Sequence, residues 1–292
     1  MSKGLGVVIT GIILSVSGVA LAGVCLKPAH DAYKKLGKMI EGQIELKENK
    51  KISIEMDAGT MNVMHSDTET SYVKYNVLEY YKVKYDEEEN ELKVKANWAW
   101  NLIPFTWNGD NKSVVDVYLT EKDYDAYLEL NAGKFNIKDD FNFSSLTIDV
   151  SAGSFNCDGN INVSGDAVFK ISAGELNVNK DVKVDGKATV KVSAGDMAFK
   201  NLEASKTDIK ISAGDIVMKK LTSDDIEFDI SAGDLTININ GVKSDYNIKI
   251  DESAGSCTID GRRVHDDYET DGGSKRLDGD ISAGKATITF VG

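Results

Sequence analysis

Proline is nearly missing from this chain of 292 residues: it occurs twice, against 26 glycines. That balance suits stacked β structure, and no low-complexity tract marks a segment as disordered. Cysteine and histidine occur three times each. His30, His65 and His265 fall in three separate regions, and no C-x-x-C or H-E-x-x-H occurs. Neither a zinc site nor thiol redox chemistry is therefore indicated. Phosphate-loop, nucleophile-elbow and dinucleotide fingerprints are missing too, which leaves no catalytic residue and no cofactor to nominate. Positive charge is the minority: 34 basic against 47 acidic residues give a net charge of −13. Nucleic acid and charge-driven docking on anionic lipid both need a basic face, so this balance argues against both as partners.

What the chain has in plenty is one tripeptide. Ser-Ala-Gly stands at Ser151-Ala152-Gly153 and returns with Gly174, Gly195, Gly214, Gly233, Gly255 and Gly284; looser copies end at Gly59 and Gly133. From Gly133 onward the spacings are 20, 21, 21, 19, 19, 22 and 29 residues, a period that signals a repeat architecture. Apolar residues fall five, three and one before each glycine, as in Ile148, Val150 and Ala152, and two and four after it, as in Phe155 and Cys157. Each flank has a period of two, so each is a strand. The phase slips by one across the glycine, which calls for a bulge or corner at a residue without a Cβ. A third short run, such as Ile161/Val163 or Val182/Val184, follows in most copies. The predicted object is an all-β solenoid of about nine coils of ~20 residues, stacked ~4.8 Å apart to a length of ~43 Å.

The recurring V/I-S-A-G-x-h-x-h ladder resembles the bacterial putative-adhesin family of β-strand-repeat proteins (the DUF4097 domain). The lead-in Val115-Asp-Val-Tyr-Leu119 and Tyr127-Leu-Glu-Leu-Asn-Ala-Gly133 resembles it as well, and so does the closing Ala254–Gly261 and Asp280–Phe290. The resemblance covers roughly residues 44–292. It implies the architecture and a surface location, and it supplies no catalytic motif to transfer.

The predicted domains are an anchor at 1–28, a linker helix at 29–43 and the solenoid at 44–292. Gly4 to Leu26 is an uncharged run of 23 residues, about 35 Å long as a helix and enough to cross a ~30 Å hydrocarbon core. Residues 4–26 thus nominate the lipid bilayer as a partner. Gly11, Ser15, Gly18 and Ala22 share one face of that helix, where two copies would approach as a homodimer. Lys27, Lys34, Lys35 and Lys38 after the run argue for a cytoplasmic C-terminal side. The short N-terminus and the family resemblance argue for the reverse, and a single-pass protein with its solenoid outside the cytoplasm is the expectation. Residues 29–42 (AHDAYKKLGKMIEG) read as a polar helix. Within the solenoid, 59–133 is irregular, with a hairpin from Tyr72 covering the first coil, and 133–292 is regular, closed by a cap.

Two constellations are the candidate sites. Trp98, Trp100, Phe105 and Trp107 fall in one loop, as a contact site for a protein, glycan or lipid partner or as a lid on the solenoid's open end. Glu175, Asp196, Asp215 and Asp234 each follow a repeat glycine, so stacking makes them a carboxylate ladder. That ladder is a solvated edge or a set of oxygen ligands for divalent cations. The stacked serines before each glycine read as a structural ladder, the 29-residue spacing with Arg262, Arg263 and Arg276 as a polar loop, and Cys157 and Cys257 as buried apolar residues far apart. A non-enzymatic, membrane-anchored surface or envelope protein is the expected function. Its rivals are a modulator of envelope-stress signalling, an inner-face polymerising scaffold and, remotely, a polysaccharide-acting enzyme.

Overall fold

The computed structural model describes residues 38–47, 50–79, 81–96, 113–120, 123–265 and 268–292. The alternation about each glycine sets its plan. Ile148 and Val150 before Gly153, and Phe155 and Cys157 after it, are all buried, and the same offsets are buried about Gly133, Gly174, Gly195, Gly214 and Gly233. Eight corner glycines have φ between +113° and +136°, a bend that a residue with a Cβ makes only under strain. The alanine before the glycine, expected to face inward, is exposed at Ala152, Ala173, Ala194, Ala213 and Ala232. The chain is already turning there, and the inward phase ends two residues earlier.

Coils stack in parallel and in register. Gly59 pairs with Gly133, Gly133 with Gly153, and Gly153 with Gly174. The column continues through Gly195, Gly214 and Gly233, each with the preceding glycine's carbonyl oxygen about 2 Å from where a Cβ would stand. Inward side chains form a continuous core along the stack, with edge-to-face aromatic pairs Phe135–Phe155 and Phe169–Phe199 at 5.1 and 5.3 Å. A third short run stacks likewise, Ile161–Val163 lying between Phe141–Phe143 and Val182–Val184.

Stack order departs from chain order at the end of the repeats. Strands Lys275–Ile281 and Lys285–Phe290 lie directly on Asp225–Ile230 and Asp234–Ile239. Strands Tyr246–Glu252 and Ser256–Ile259, which come earlier in the chain, pair on the far side of that coil. The Gly284 coil is thus inserted between those of Gly233 and Gly255. Gly279 takes an inward position opposite Phe228, whose ring fills the space a side chain would need.

Both ends are closed by antiparallel strands. At one, Glu91–Ala96 and Val114–Leu119 form a parallel rung beneath Lys51–His65. Tyr81–Asp86 then pairs antiparallel with the first of these, and Tyr72–Leu78 with the second. Tyr81–Asp86 and Glu91–Ala96 thus form a hairpin about residues 87–90, and Tyr72–Leu78 is a separate strand. At the other end, Arg262–Val264 folds back on Ser256–Ile259 and Tyr268–Thr270 on Tyr246–Glu252. These antiparallel edges satisfy backbone groups that an open end would expose.

The predicted linker helix at 29–43 is corrected over residues 38–43, and residues 29–37 lie outside the described residues. Met39–Glu45 is a strand, paired antiparallel with Tyr72–Leu78, because its backbone donors and acceptors find partners on that exposed edge. The predicted transmembrane helix also finds no support: residues 4–26 lie outside the described residues. Among the described residues the only helical element is a three-residue 3-10 turn, Lys243–Asp245, and no helix is long and apolar enough to cross a membrane.

Candidate interaction face

Two outward surfaces run the length of the stack, one before the glycine column and one after it. The face before the glycines is laced by ion pairs between coils. Lys170 meets Asp149 at 2.6 Å, Lys187 meets Asp208 at 2.9 Å, and Lys206 meets Asp225 and Glu227 at 3.0 and 3.4 Å. Arg276 pairs with Asp278 on its own strand and reaches Asp225 at 3.4 Å, tying the inserted coil to its neighbour. The three arginines are thus placed on strands: Arg276 in the inserted coil, Arg262 and Arg263 in the antiparallel cap.

The face after the glycines holds the predicted carboxylate ladder. Asp196 is in register with Asp215, and Asp215 with Asp234; all are exposed, as is Glu175. The Asp215 carboxylate accepts a hydrogen bond from the Asp234 backbone N–H at 3.1 Å. Among the described residues no cluster of three or more His, Cys, Asp or Glu is arranged to hold a metal ion. Beside the ladder runs a column of amides. Asn136 donates to Asn62 at 2.9 Å and Asn62 to Asp116 at 2.7 Å, with Asn156 and Asn177 stacked above in register. This ladder was not read from the sequence, although asparagine three residues after a repeat glycine was its signal.

The predicted serine ladder is partial. Ser151 hydroxyl donates to Asn131, and Asn131 to Asp57, joining three rungs. Further along, continuity is carried by backbone bonds such as Ser212 N–H to Val192 and Ser231 N–H to Ile211. Cys157 and Cys257 are buried and unpaired, on coils six rungs apart in the stack. Burial pushes both thiols up to about 12, so neither is a nucleophile at neutral pH. Trp98, Trp100, Phe105 and Trp107 lie outside the described residues.

One cluster was invisible to sequence reading because its members meet only through antiparallel pairing. Tyr72 and Tyr118 stack at 4.5 Å, with the Lys74 ammonium 5.1 and 5.3 Å from the two ring centres. Tyr72 is buried and donates its hydroxyl to Asp67 at 2.6 Å; burial, and then this bond, push the phenol up to about 12. Gln43, Glu45, Thr68 and Thr70 complete a cleft of about 220 Å³ over the cap.

A capped stack of parallel β coils on a glycine column, with polar ladders along its flanks, defines the class of this protein. The chain belongs to the Toastrack DUF4097 family, whose model matches residues 49–290. Among solved structures it is similar to a putative adhesin from Parabacteroides merdae at 14% identity. That match covers 88% of this chain and 97% of the other, with a TM-score of 0.52, and it supports the fold alone. A putative adhesin from Bacteroides fragilis matches at 15% identity, 87% and 98% coverage and a TM-score of 0.45. A putative lipid binding protein from Parabacteroides distasonis matches at 15% identity, 88% and 98% coverage and a TM-score of 0.32. No curated protein matches the chain.

Proposed function

We propose that this chain is a non-enzymatic surface or envelope protein that presents its coil stack outside the cytoplasm as a rigid lateral binding face. The observation that carries the reading is the closure of both ends. Antiparallel strands cover the first and last rungs, so the stack offers its long flanks to a partner and not its ends. A preformed flank loses little entropy on meeting an extended protein or glycan, since its backbone is already fixed. The adhesin name carried by the Parabacteroides merdae protein of the same fold agrees with this reading. Capped ends weigh against end-to-end polymerisation as the working mode.

The test is accessibility. A tag placed after Gly292 is expected to be removed when protease is added to intact cells. A tag that survives intact cells and is lost only on lysis would place the stack inside and refute the proposal.

A further inference from the structure

On the face after the glycines, the coils of Gly174, Gly195, Gly214 and Gly233 carry three outward columns. Next to the corner stand Glu175, Asp196, Asp215 and Asp234; two residues on, Asn177, Ala198, Val217 and Thr236; two further, Asn179, Lys200, Lys219 and Asn238. Val217, 38% exposed, lies at the middle of this patch and is one of three large exposed hydrophobics among the described residues. Lys200 and Lys219 are exposed and form no ion pair among the described residues.

We infer that this face docks on the same face of a second copy of the chain, side by side and with the two stacks parallel. This goes beyond the proposed function and does not depend on it. A two-fold axis lying in the contact plane and running along the stack keeps rung order and reverses strand direction. It sets Asp196 opposite Lys200 of the second copy and Asp215 opposite Lys219 of the second copy, with each relation made twice. Ala198 and Val217 then meet their own equivalents on the axis. An axis running along the strands would instead reverse rung order and lay the carboxylate column on itself, so charge selects the parallel arrangement. Glu175 and Asp234 reach the same two lysines diagonally, one rung away.

The contact has a natural limit. On the Gly133 coil the same operation would oppose Lys134 and Lys138, two like charges, so the docked region runs from the Gly153 coil to the Gly255 coil. Seven rungs span six spacings of ~4.8 Å, which with a width of about 15 Å gives roughly 430 Å² per copy. A total near 900 Å² is the size of a weak, transient interface, so association in the micromolar range or weaker is expected.

Sedimentation equilibrium of the full chain tests this. Asp196→Lys with Asp215→Lys, and separately Lys200→Asp with Lys219→Asp, should each weaken association at least tenfold. All four changes together, which restore opposite charges directly across the axis but leave Glu175 and Asp234 diagonal to carboxylates, should bind at least threefold more tightly than either double variant. Val217→Cys should cross-link to itself under mild oxidation. A parent that is monomeric at 1 mM by order of magnitude, a dimer indifferent to both double variants, or a four-fold variant that fails to recover would overturn the inference. All the altered residues are exposed, and recovery in the four-fold variant separates a lost contact from a lost fold. Failure here leaves the protease result on cells unaffected, so the two readings fall separately.

Discussion

Replacing Gly195 by alanine tests the glycine column directly. Gly195 has φ +128°, and a Cβ there would lie 2.1 Å from the Gly174 carbonyl oxygen and 2.8 Å from its nitrogen. Two penalties follow. Holding a Cβ-bearing residue in that backbone region costs about 1–3 kcal/mol. Relieving the contact requires adjacent rungs to part by roughly 1 Å, which weakens two or so ladder hydrogen bonds worth ~1 kcal/mol each. The sum is about 3–5 kcal/mol, at the upper end of single substitutions. Gly261 provides the control: it has φ +73° with nothing within 4 Å of its would-be Cβ, so Gly261→Ala meets only the backbone term, about 1–2 kcal/mol. Urea unfolding followed by circular dichroism, with thermal melts alongside, measures both. At ~2–4 °C per kcal/mol, Gly195→Ala should lower Tm by about 6–20 °C. Equal costs at the two glycines, or a Gly195→Ala variant within ~0.5 kcal/mol of the parent, the ordinary range for surface changes, would refute the idea that close stacking selects glycine.

Two further outcomes are expected. Thr207 is fully buried with no partner for its hydroxyl, in an inward column with Ala188 and Ile226, so Thr207→Val should stabilise by about 1–2 kcal/mol, read as a higher urea midpoint. Burial acts to raise the Glu55 carboxyl, but the hydrogen bond and charge of Lys95 and the charge of Lys93 outweigh it and hold it below its usual value of 4.5. A carboxyl lowered by folding stabilises above pH ~4.5 and loses that contribution as pH falls. Glu55→Gln should therefore be less stable than the parent at pH 7, by about 0.5–1 kcal/mol for a largely solvated pair, and equal to it near pH ~3 in denaturant titrations.

The residues that face inward could be read from the sequence because period-two alternation encodes which side of a strand is buried, and a glycine at every phase slip encodes the corner. Alternation does not encode which coil lies on which. The coils of Gly255 and Gly284 bury equivalent positions, so inward phase alone allows either next to Gly233. One signal for the inserted order was present: Gly279 leaves an inward position empty, and only a large neighbour such as Phe228 fills it. The predicted helix at 29–43 failed, where it overlaps the strand Met39–Glu45, for a related reason. Its composition is polar and its burial alternates only weakly, so the choice of strand comes from pairing with Tyr72–Leu78, far along the chain. Of the candidate sites, the carboxylate ladder was legible as a consequence of the repeat. The Tyr72–Tyr118–Lys74 cluster was not, since antiparallel pairing across 46 residues leaves no local trace.

The inserted coil also imposes an order in time. During synthesis, residues 246–259 emerge while their eventual neighbour, 275–290, is still unmade. The surface waiting for them on 225–239 is the one that neighbour must later occupy. Because both segments present the same tripeptide and the same inward phase, the earlier one is able to settle there as a misplaced lodger. Completion then requires it to be displaced, and nascent chains halted before residue 275 should hold it there. The repeat that makes this stack simple to build one coil at a time makes its last step a competition.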